Sequence, residues 1–402
     1  MRRKITTVLD AWRLKPLGVR RPLLLQGARQ VGKTYSLREL GANFKSVAHV
    51  NLEAQPAARS IFDGELDPKR IVHLLAAETR TDIIAGESLI VLDEIQASER
   101  AITSLKYFNE QAPEYHVAGA GSLLGIAINR SDYSFPVGNV ESHKLFPLDF
   151  EEYLWALGDE RLANIIREHF QEGAGIAAGM HAKALERYRG YLLTGGMPRA
   201  VKEFVSGTGP LGVREVQLQT LSDYLADMVK YATAAESVLI RAAFESIPSQ
   251  LAKENHKFQY KLARKGGTAS TFGPAIDWLR NSGSVLVCEK ANNGILPLAA
   301  HSDTSSFKLY LADVGLLGAL SDLPADVLLN AKTEHSFLGA VTENYVATAL
   351  AANGFPLRYW ASEGKAELDF TVQLGETIAG VEVKAGTHIR SKSLGVFTTK
   401  YP

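Results

Sequence analysis

The sequence contains a single cysteine, Cys288, among its 402 residues. One cysteine excludes an internal disulfide and is typical of a protein from a reducing compartment. The N-terminal segment "MRRKITTVLDAWRLKPLG" is basic, but no apolar run follows it, so we do not expect it to act as a secretory signal peptide. No stretch approaches the roughly 20 apolar residues that span a bilayer. We therefore expect a cytoplasmic protein without a membrane partner.

The chain also lacks an excess of charge of either sign, with 44 basic and 44 acidic residues. The overall charge therefore gives no indication for or against a nucleic-acid partner, and only local patches can. Internal repeats and low-complexity segments are missing as well. An apolar fraction of 46% is typical of a well-packed globular protein. The length is sufficient for two to four domains.

The most specific motif is "GARQVGKT" (27–34), which lies between an apolar strand pattern and a helix pattern. It matches the phosphate-binding pattern G-x-x-x-x-G-K-[ST] in full. In this pattern the glycines let the backbone wrap the phosphates, the lysine reaches the β- and γ-phosphates, and the last residue is a ligand of Mg²⁺. The predicted contacts to ATP or ADP are Gly27, Ala28, Arg29, Gln30, Val31, Gly32, Lys33, Thr34 and Tyr35.

Two further strand patterns end in polar residues that suit the same site. "SLIVLDEIQ" (88–96) is a continuous apolar run, as in a buried parallel strand, and it ends in Asp93 and Glu94. Asp93 is predicted to hold Mg²⁺, and Glu94 to act as the general base on the attacking water. Ser122, at the polar end of the strand pattern "YHVAGAGSLLG" (115–125), either senses the γ-phosphate or orients that water, or else it caps a helix. The alternation of strands and helices over residues 20–125 predicts a doubly wound α/β sheet.

The chain resembles a prokaryotic family of AAA+ ATPases with a C-terminal domain of unknown function. The resemblance rests on the ordered set of the phosphate-binding loop, "VLDEIQ", "AGAGSLLG", "FPVGNVESHKLFPLDFEEYL" and "YLLTGGMPRA". The resemblance implies an AAA+ core over residues 1–158, followed by a helical lid and connecting helix over 159–232. It also implies ATP hydrolysis in a homo-oligomer, where a neighbouring subunit supplies an arginine. Arg130 and Arg199 are the candidates for this role, and the alternative is that both are ordinary surface arginines.

Residues 233–328 show three helix patterns, and then "SVLVCEK" and "ILPLAA" flank the turn signal "ANNG". Three helices and a β-hairpin predict a winged helix-turn-helix. Residues 251–290 hold seven Lys or Arg against three Asp or Glu, an excess that can follow a phosphate backbone. DNA and a neighbouring protein surface both remain open as the partner of this face.

The C-terminal stretch "AELDFTVQLGETIAGVEVKAG" (366–386) alternates apolar and polar residues, which predicts a β-hairpin. Leu368, Phe370 and Val372 share one face of the first strand. The polar face of the hairpin, with acids and a lysine, is either a solvated surface or a metal site. The helix pattern of residues 336–353 has Glu343 as its only charged residue. A carboxylate among apolar neighbours is costly unless Lys384 or a metal pairs with it.

An acid on a helix, Asp on one strand and Glu-x-Lys on the next resembles the PD-(D/E)xK nuclease superfamily. The resemblance implies that Glu343, Asp369 and Glu382 hold Mg²⁺ and that Lys384 orients water or stabilises the developing phosphorane charge. Glu367 stands where that family has a proline near the Asp. The family core also adds a helix and a strand after the lysine, so a nuclease-like domain over residues 329–402 could be incomplete.

The predicted architecture is therefore a P-loop AAA+ sheet with a helical lid, a winged helix-turn-helix and an α/β nuclease-like domain. One hypothesis is an ATP-dependent enzyme that acts on nucleic acid. The other is a regulatory or remodelling ATPase whose C-terminal domains bind a protein partner without cleavage. A divalent ion on the C-terminal carboxylates favours the first hypothesis, and carboxylates held by hydrogen bonds to neighbouring arginines favour the second.

Overall fold

The computed structural model describes residues 1–122, 135–254, 256–330, 336–362, 366–386 and 391–401. The chain divides into two compact units. The first comprises Met1–Phe146 with Asn281–Gly283, and the second comprises Pro147–Arg280 with Ser284–Pro402.

The first unit is built on a five-stranded sheet in the order β2-β3-β4-β1-β5, in which all neighbouring strands are parallel. Its strands are β1 Leu23–Gln26, β2 Ser46–Asn51, β3 Ser88–Asp93, β4 His116–Gly121 and β5 Glu141–Lys144. The predicted α/β fold with a parallel sheet is confirmed. Because the carboxyl ends of parallel strands meet at one edge, the segments that follow β1, β3 and β4 lie side by side.

The helices of this unit cover the central strands, and every residue of β3 and β4 is buried. The α-helices are Ile5–Arg13, Lys33–Gly41, Pro56–Ser60, Pro68–Thr79 and Glu99–Gln111, and two 3₁₀ turns span Ile61–Asp63 and Ile95–Ala97. Side-chain caps fix two of the helix starts. Asp67 accepts the Arg70 N–H and Ser98 accepts the Ala101 N–H, which satisfies amides that lack an intrahelical partner.

The second unit begins with helices. They are Phe150–Ala156, Glu160–Glu172, Ala178–Thr194, Pro198–Val205, Gly209–Tyr231, Ala234–Glu245, Ile247–Leu251, Tyr260–Ala263, Ala269–Ser282, Val314–Leu320, Ala325–Leu329, Leu338–Ala352 and Lys392–Lys400. The stretch from Phe150 to Phe170 forms parts of two helices. Gly158 has a φ of +74° in the break, a conformation that glycine adopts without a steric cost.

A four-stranded sheet in the order β7-β6-β8-β9 follows, and here the structure differs from the predicted hairpin. Its strands are β6 Val285–Ala291, β7 Ser302–Leu311, β8 Arg358–Ala361 and β9 Glu367–Leu368. The predicted strand "ILPLAA" does not form, and Leu298–His301 is a 3₁₀ turn. Pro297 has no N–H to donate to a ladder. The antiparallel partner of β6 is therefore β7, which brings Lys308 and Tyr310 into the sheet.

On its other side β6 pairs with β8 in parallel. The sheet thus joins segments that the sequence assigns to the winged helix-turn-helix and to the nuclease-like domain. Both of these assignments stay predictions.

The C-terminal hairpin forms between β10, Phe370–Leu374, and β11, Thr377–Val381, with Gly375 in the turn at a φ of +62°. Leu368, Phe370 and Val372 are buried as the alternation predicts. The second strand ends at Val381, which is earlier than predicted, so Glu382 and Lys384 follow it as irregular backbone. The Asp369 carboxylate accepts the Val383 N–H at 2.6 Å where a ladder bond would otherwise continue.

Within the described ranges, no helix has both the length and the apolar character needed to cross a membrane.

Candidate nucleotide site and C-terminal pocket

The loop after β1 has the backbone that its glycines predict. Gly27 has a φ of +154° and Gly32 a φ of +99°, and a Cβ atom at Gly27 would lie 2.2 Å from the carbonyl oxygen of Leu145. Glycine is therefore required at position 27. Lys33 is 6% exposed, and its Nζ donates to the carbonyl oxygens of Gly27 and Ala28 at 2.9 and 2.8 Å. Its ammonium group thus lies against the loop.

Thr34 and Asp93 meet at the carboxyl edge of the sheet. The Thr34 hydroxyl donates to Oδ2 of Asp93 at 2.7 Å, and Nε2 of His49 lies 3.5 Å from the same oxygen. Burial alone would raise the pKa of Asp93, but the His49 and Thr34 side chains outweigh it, so the pKa lies below its usual value. Asp93 is therefore a carboxylate at neutral pH. A hydroxyl and a carboxylate form a donor set that suits Mg²⁺.

Glu94 lies next to this pair in the left-handed conformation, with a φ of +49°. Its Oε2 accepts from Nε2 of Gln96 at 2.5 Å and from the Ser122 hydroxyl at 3.3 Å. Ser122, at the end of β4, thus contacts the predicted base. Its alternative role as a helix cap concerns residues 123–134, which lie outside the described part of the chain.

The remaining residues predicted for this site differ in their exposure. Val31 is buried and Tyr35 is 44% exposed, with its hydroxyl 2.9 Å from the N-terminal nitrogen of Met1. Arg130 lies outside the described residues. Arg199 is exposed near the start of the helix Pro198–Val205. The arginine role in a homo-oligomer stays a prediction for both.

In the second unit, the four side chains of the nuclease-like prediction line one cavity of about 840 Å³. Glu343 projects from the helix Leu338–Ala352, and Asp369 lies between β9 and β10. Glu382 and Lys384 follow β11. The sequence thus predicted which residues come together, although not how they pair.

Glu343 is paired with residues that the sequence analysis did not select. Its Oε1 accepts from Lys308 Nζ at 3.1 Å and from the Tyr310 hydroxyl, while its Oε2 lies 2.7 Å from Nδ1 of His256. Burial would raise the pKa of Glu343, but His256 and Lys308 lower it to about 2. The expected partner was Lys384 or a metal, and the partner found here is Lys308.

Lys308 also contacts two residues other than Glu343. Its Nζ lies 2.7 Å from Oε1 of Glu367 and 5.0 Å from the centre of the Tyr359 ring. The side chain is 1% exposed. Burial would lower its pKa, but the charges of Glu343 and Glu367 outweigh that effect and raise it. Lys308 is therefore a buried cation at neutral pH.

The remaining two carboxylates differ in their surroundings. Burial, reinforced by the charge of Glu343, raises the pKa of Asp369 to about 6. Glu382 pairs with Lys384 at 2.5 Å and accepts the Ser391 hydroxyl, so its pKa lies below the usual value despite partial burial.

The arrangement does not fit the three-carboxylate Mg²⁺ site that the nuclease resemblance implies. Both oxygens of Glu343 already accept from protein donors. Among all the described residues, no group of three or more His, Cys, Asp or Glu side chains is placed to hold a metal ion. The metal-binding roles of Glu343, Asp369 and Glu382 stay a prediction that this geometry does not favour.

Lys308, Tyr310 and His256 are the residues that sequence reasoning missed. One signal was available, because Lys308 interrupts the apolar run "FKLYL" as Glu343 interrupts an apolar helix. Two isolated charges of opposite sign in buried elements are candidates for a pair. The sequence pattern hides this pairing, because it predicts "ILPLAA" and not Ser302–Leu311 as the strand next to β6.

Comparison with known families divides the chain into three matched segments. Residues 19–154 match the model of an AAA domain. Residues 185–327 match a domain of unknown function, DUF8612, and residues 338–402 match another, DUF4143. The matches confirm the AAA domain and the C-terminal domain of unknown function that the resemblance implied. No curated protein matches the chain.

Several solved structures are similar over much of the chain. The Walker-type ATPase of Pyrococcus abyssi is 15% identical with a TM-score of 0.46, covering 79% of this chain and 95% of its own. The ORC2 protein of Aeropyrum pernix, in ADPNP–ADP complexes, is 13% identical with a TM-score of 0.39, covering 87% and 95%. AMPPCP-bound DnaA from Aquifex aeolicus is 14% identical with a TM-score of 0.31, covering 68% and 86%. These likenesses are too weak to support a functional argument.

Proposed function

We propose that the AAA domain binds ATP with Mg²⁺ and hydrolyses it to ADP and phosphate. The observation that carries this proposal is the meeting of Thr34, Asp93, Glu94 and Ser122 at one sheet edge, next to the loop that holds Lys33. A chance match of a glycine-rich turn would not bring these side chains together. The N-terminus of the helix Lys33–Gly41 adds a favourable dipole for a bound phosphate.

In the proposed reaction the loop amides and Lys33 bind the β- and γ-phosphates. Thr34 and Asp93 would hold Mg²⁺, which offsets the phosphate charge. Glu94 accepts a proton from water as the water oxygen bonds to the γ-phosphorus, and the bond to the β–γ bridging oxygen breaks to release ADP. Ser122 and Gln96 position the Glu94 carboxylate.

Release of phosphate from ATP by the purified full-length chain tests this proposal. The rate should fall to background in Lys33→Ala. Equal rates in the two proteins would contradict the proposal, because that activity would then come from elsewhere.

For the second unit we propose a regulatory or remodelling role, in which the C-terminal region binds a partner without cleaving nucleic acid. The pairing of Glu343 with Lys308 and His256 supports this over the nuclease hypothesis, because it engages the acid that a metal would need. Labelled DNA and RNA, incubated with full-length protein with and without ATP and Mn²⁺, should stay intact. Cleavage that Asp369→Ala abolishes would restore the nuclease hypothesis.

A further inference from the structure

We propose that Lys308 is the resident cation of the C-terminal pocket and takes the place of a divalent ion, so that the pocket operates without metal. The proposal rests on the contacts of the second unit and is independent of ATP hydrolysis by the first. It concerns a residue on β7, outside the four that the nuclease resemblance selects.

The Lys308 ammonium bridges two carboxylates. Lys308 lies between Glu343 and Glu367, with its Nζ at 3.1 and 2.7 Å from one oxygen of each. One ammonium group therefore joins two carboxylates that come from a helix and a strand. Bridging acids from different elements is the structural task of a divalent ion in a carboxylate site. The cluster is thus held together by a side chain of the protein itself.

Both carboxylate oxygens of Glu343 already contact protein donors. Oε1 of Glu343 accepts from Lys308 and Tyr310, and Oε2 contacts Nδ1 of His256. Mg²⁺ sits about 2.0–2.1 Å from its oxygen ligands. These donors take three of the roughly four lone-pair sites of the carboxylate, so an ion on Glu343 would have to share Oε2 with His256 or displace a donor, and it would lie within several ångströms of the Lys308 ammonium. Repulsion between two cations in a buried site then opposes binding.

Lys308 is also fixed in its place. Its side chain is 1% exposed, its backbone pairs with Cys288 of β6, and its Nζ contacts carboxylates on two different elements. Lys384 is different, since its side chain is 45% exposed and pairs with Glu382 at the mouth of the pocket. Lys384 can therefore move away when a ligand arrives, while Lys308 stays.

The consequence concerns how the pocket recognises a ligand. Any partner that enters must be bound by direct contacts to Asp369, to the Glu382–Lys384 pair and to neighbouring side chains, without a bridging ion. Removal of the Lys308 ammonium should expose a latent carboxylate site. Methionine is the suitable replacement because it keeps the buried length up to the ε-carbon and vacates only the ammonium volume.

The test uses full-length protein carrying Lys33→Ala, without nucleotide, so that ion binding through ATP does not contribute. Bound Mn²⁺ per chain is counted by electron paramagnetic resonance, and thermal unfolding is followed with and without Mn²⁺. The variants are Asp369→Ala, Lys308→Met, the two combined, and Lys308→Arg, which keeps the cation. Any weak site at Asp93 is common to all of them.

The parent, Asp369→Ala and Lys308→Arg should bind the same amount of Mn²⁺. Lys308→Met should gain one ion per chain, and the added Asp369→Ala should remove it. The proposal is overturned if the parent binds an ion that Asp369→Ala abolishes, or if folded Lys308→Met gains none. If Lys308→Met does not fold, the comparison of the parent with Asp369→Ala still decides whether the natural pocket holds a metal.

Discussion

The hydroxyl of Thr34 lies 2.7 Å from a carboxylate oxygen of Asp93, although 59 positions separate the two residues in the chain. Parallel strands β1 and β3 end at the same edge, and this shared edge brings them together. Thr34 directly follows Lys33 in the chain, so the pair lies next to the phosphate-binding loop. The nucleotide site can therefore be dissected by single substitutions on three separate segments.

Lys33→Ala should abolish ATP binding or nearly so. The ammonium group lies against the loop carbonyls, and its loss leaves the phosphate charge without its principal protein cation. Titration with a fluorescent ATP analogue measures the effect. Lys45→Ala is the matched control, because that lysine pairs with Glu87 on the surface, with a side chain 71% exposed. Unchanged affinity in Lys33→Ala would contradict the assignment.

Ser122→Ala distinguishes the role on Glu94 that the structure suggests from the helix cap that the sequence leaves open. If the hydroxyl positions Glu94, kcat should fall about fivefold, as expected for a net loss of about 1 kcal/mol from one hydrogen bond, with little change in melting temperature. If the hydroxyl caps a helix instead, the melting temperature should fall while kcat holds. Steady-state phosphate release and thermal unfolding of the same sample distinguish these results.

Lys308→Met should reduce the free energy of unfolding by about 3–5 kcal/mol, because it leaves buried carboxylates without their cation. Lys384→Met provides the control. The Lys384 side chain is 45% exposed, so its ammonium group stays in contact with water, and ion pairs with such a partner contribute about 0–1 kcal/mol. Urea denaturation of both variants in metal-free buffer gives the two values. Similar losses for the two lysines would show that Lys308 is not the structural cation of the pocket.

Asp369→Asn should change the pH dependence of stability. The pKa of Asp369 is about 6 in the folded protein and about 3.9 in an unfolded chain, so between these values the folded state holds a proton that the unfolded state has released. Stability from this group is therefore present below pH 4 and is lost as the pH rises through 6. Asparagine mimics the protonated form at every pH.

The stability of Asp369→Asn relative to the parent should thus rise by up to about 3 kcal/mol between pH 4 and pH 7. Urea denaturation at several pH values measures this difference, in which the titration of distant groups cancels. A difference that stays flat across the range would mean that Asp369 is not perturbed as its burial and the charge of Glu343 require.

The sequence predicted that Thr34, Asp93 and Glu94 lie at one edge of the sheet, because the signals for this arrangement are local. The motif over residues 27–34 and the acids at the end of β3 each lie within a few residues of a strand, and parallel strands fix the rest. The C-terminal pocket was predicted only in part. Glu343 and Asp369 do line it, but the partner of Glu343 is Lys308, whose approach depends on the pairing of β6 with β7 across a ten-residue connection. The alternation of apolar and polar residues within a strand does not reveal which segment it pairs with.

The central claim, that this AAA domain hydrolyses ATP with Glu94 as the base, is tested most directly by Glu94→Gln. ATP binding and phosphate release should be measured on the same preparation. Glutamine keeps the shape of the side chain and cannot take the proton from water, so affinity should be retained while the rate falls by about 10²–10⁴. A variant that binds ATP and hydrolyses it within a few-fold of the parent rate would contradict the claim.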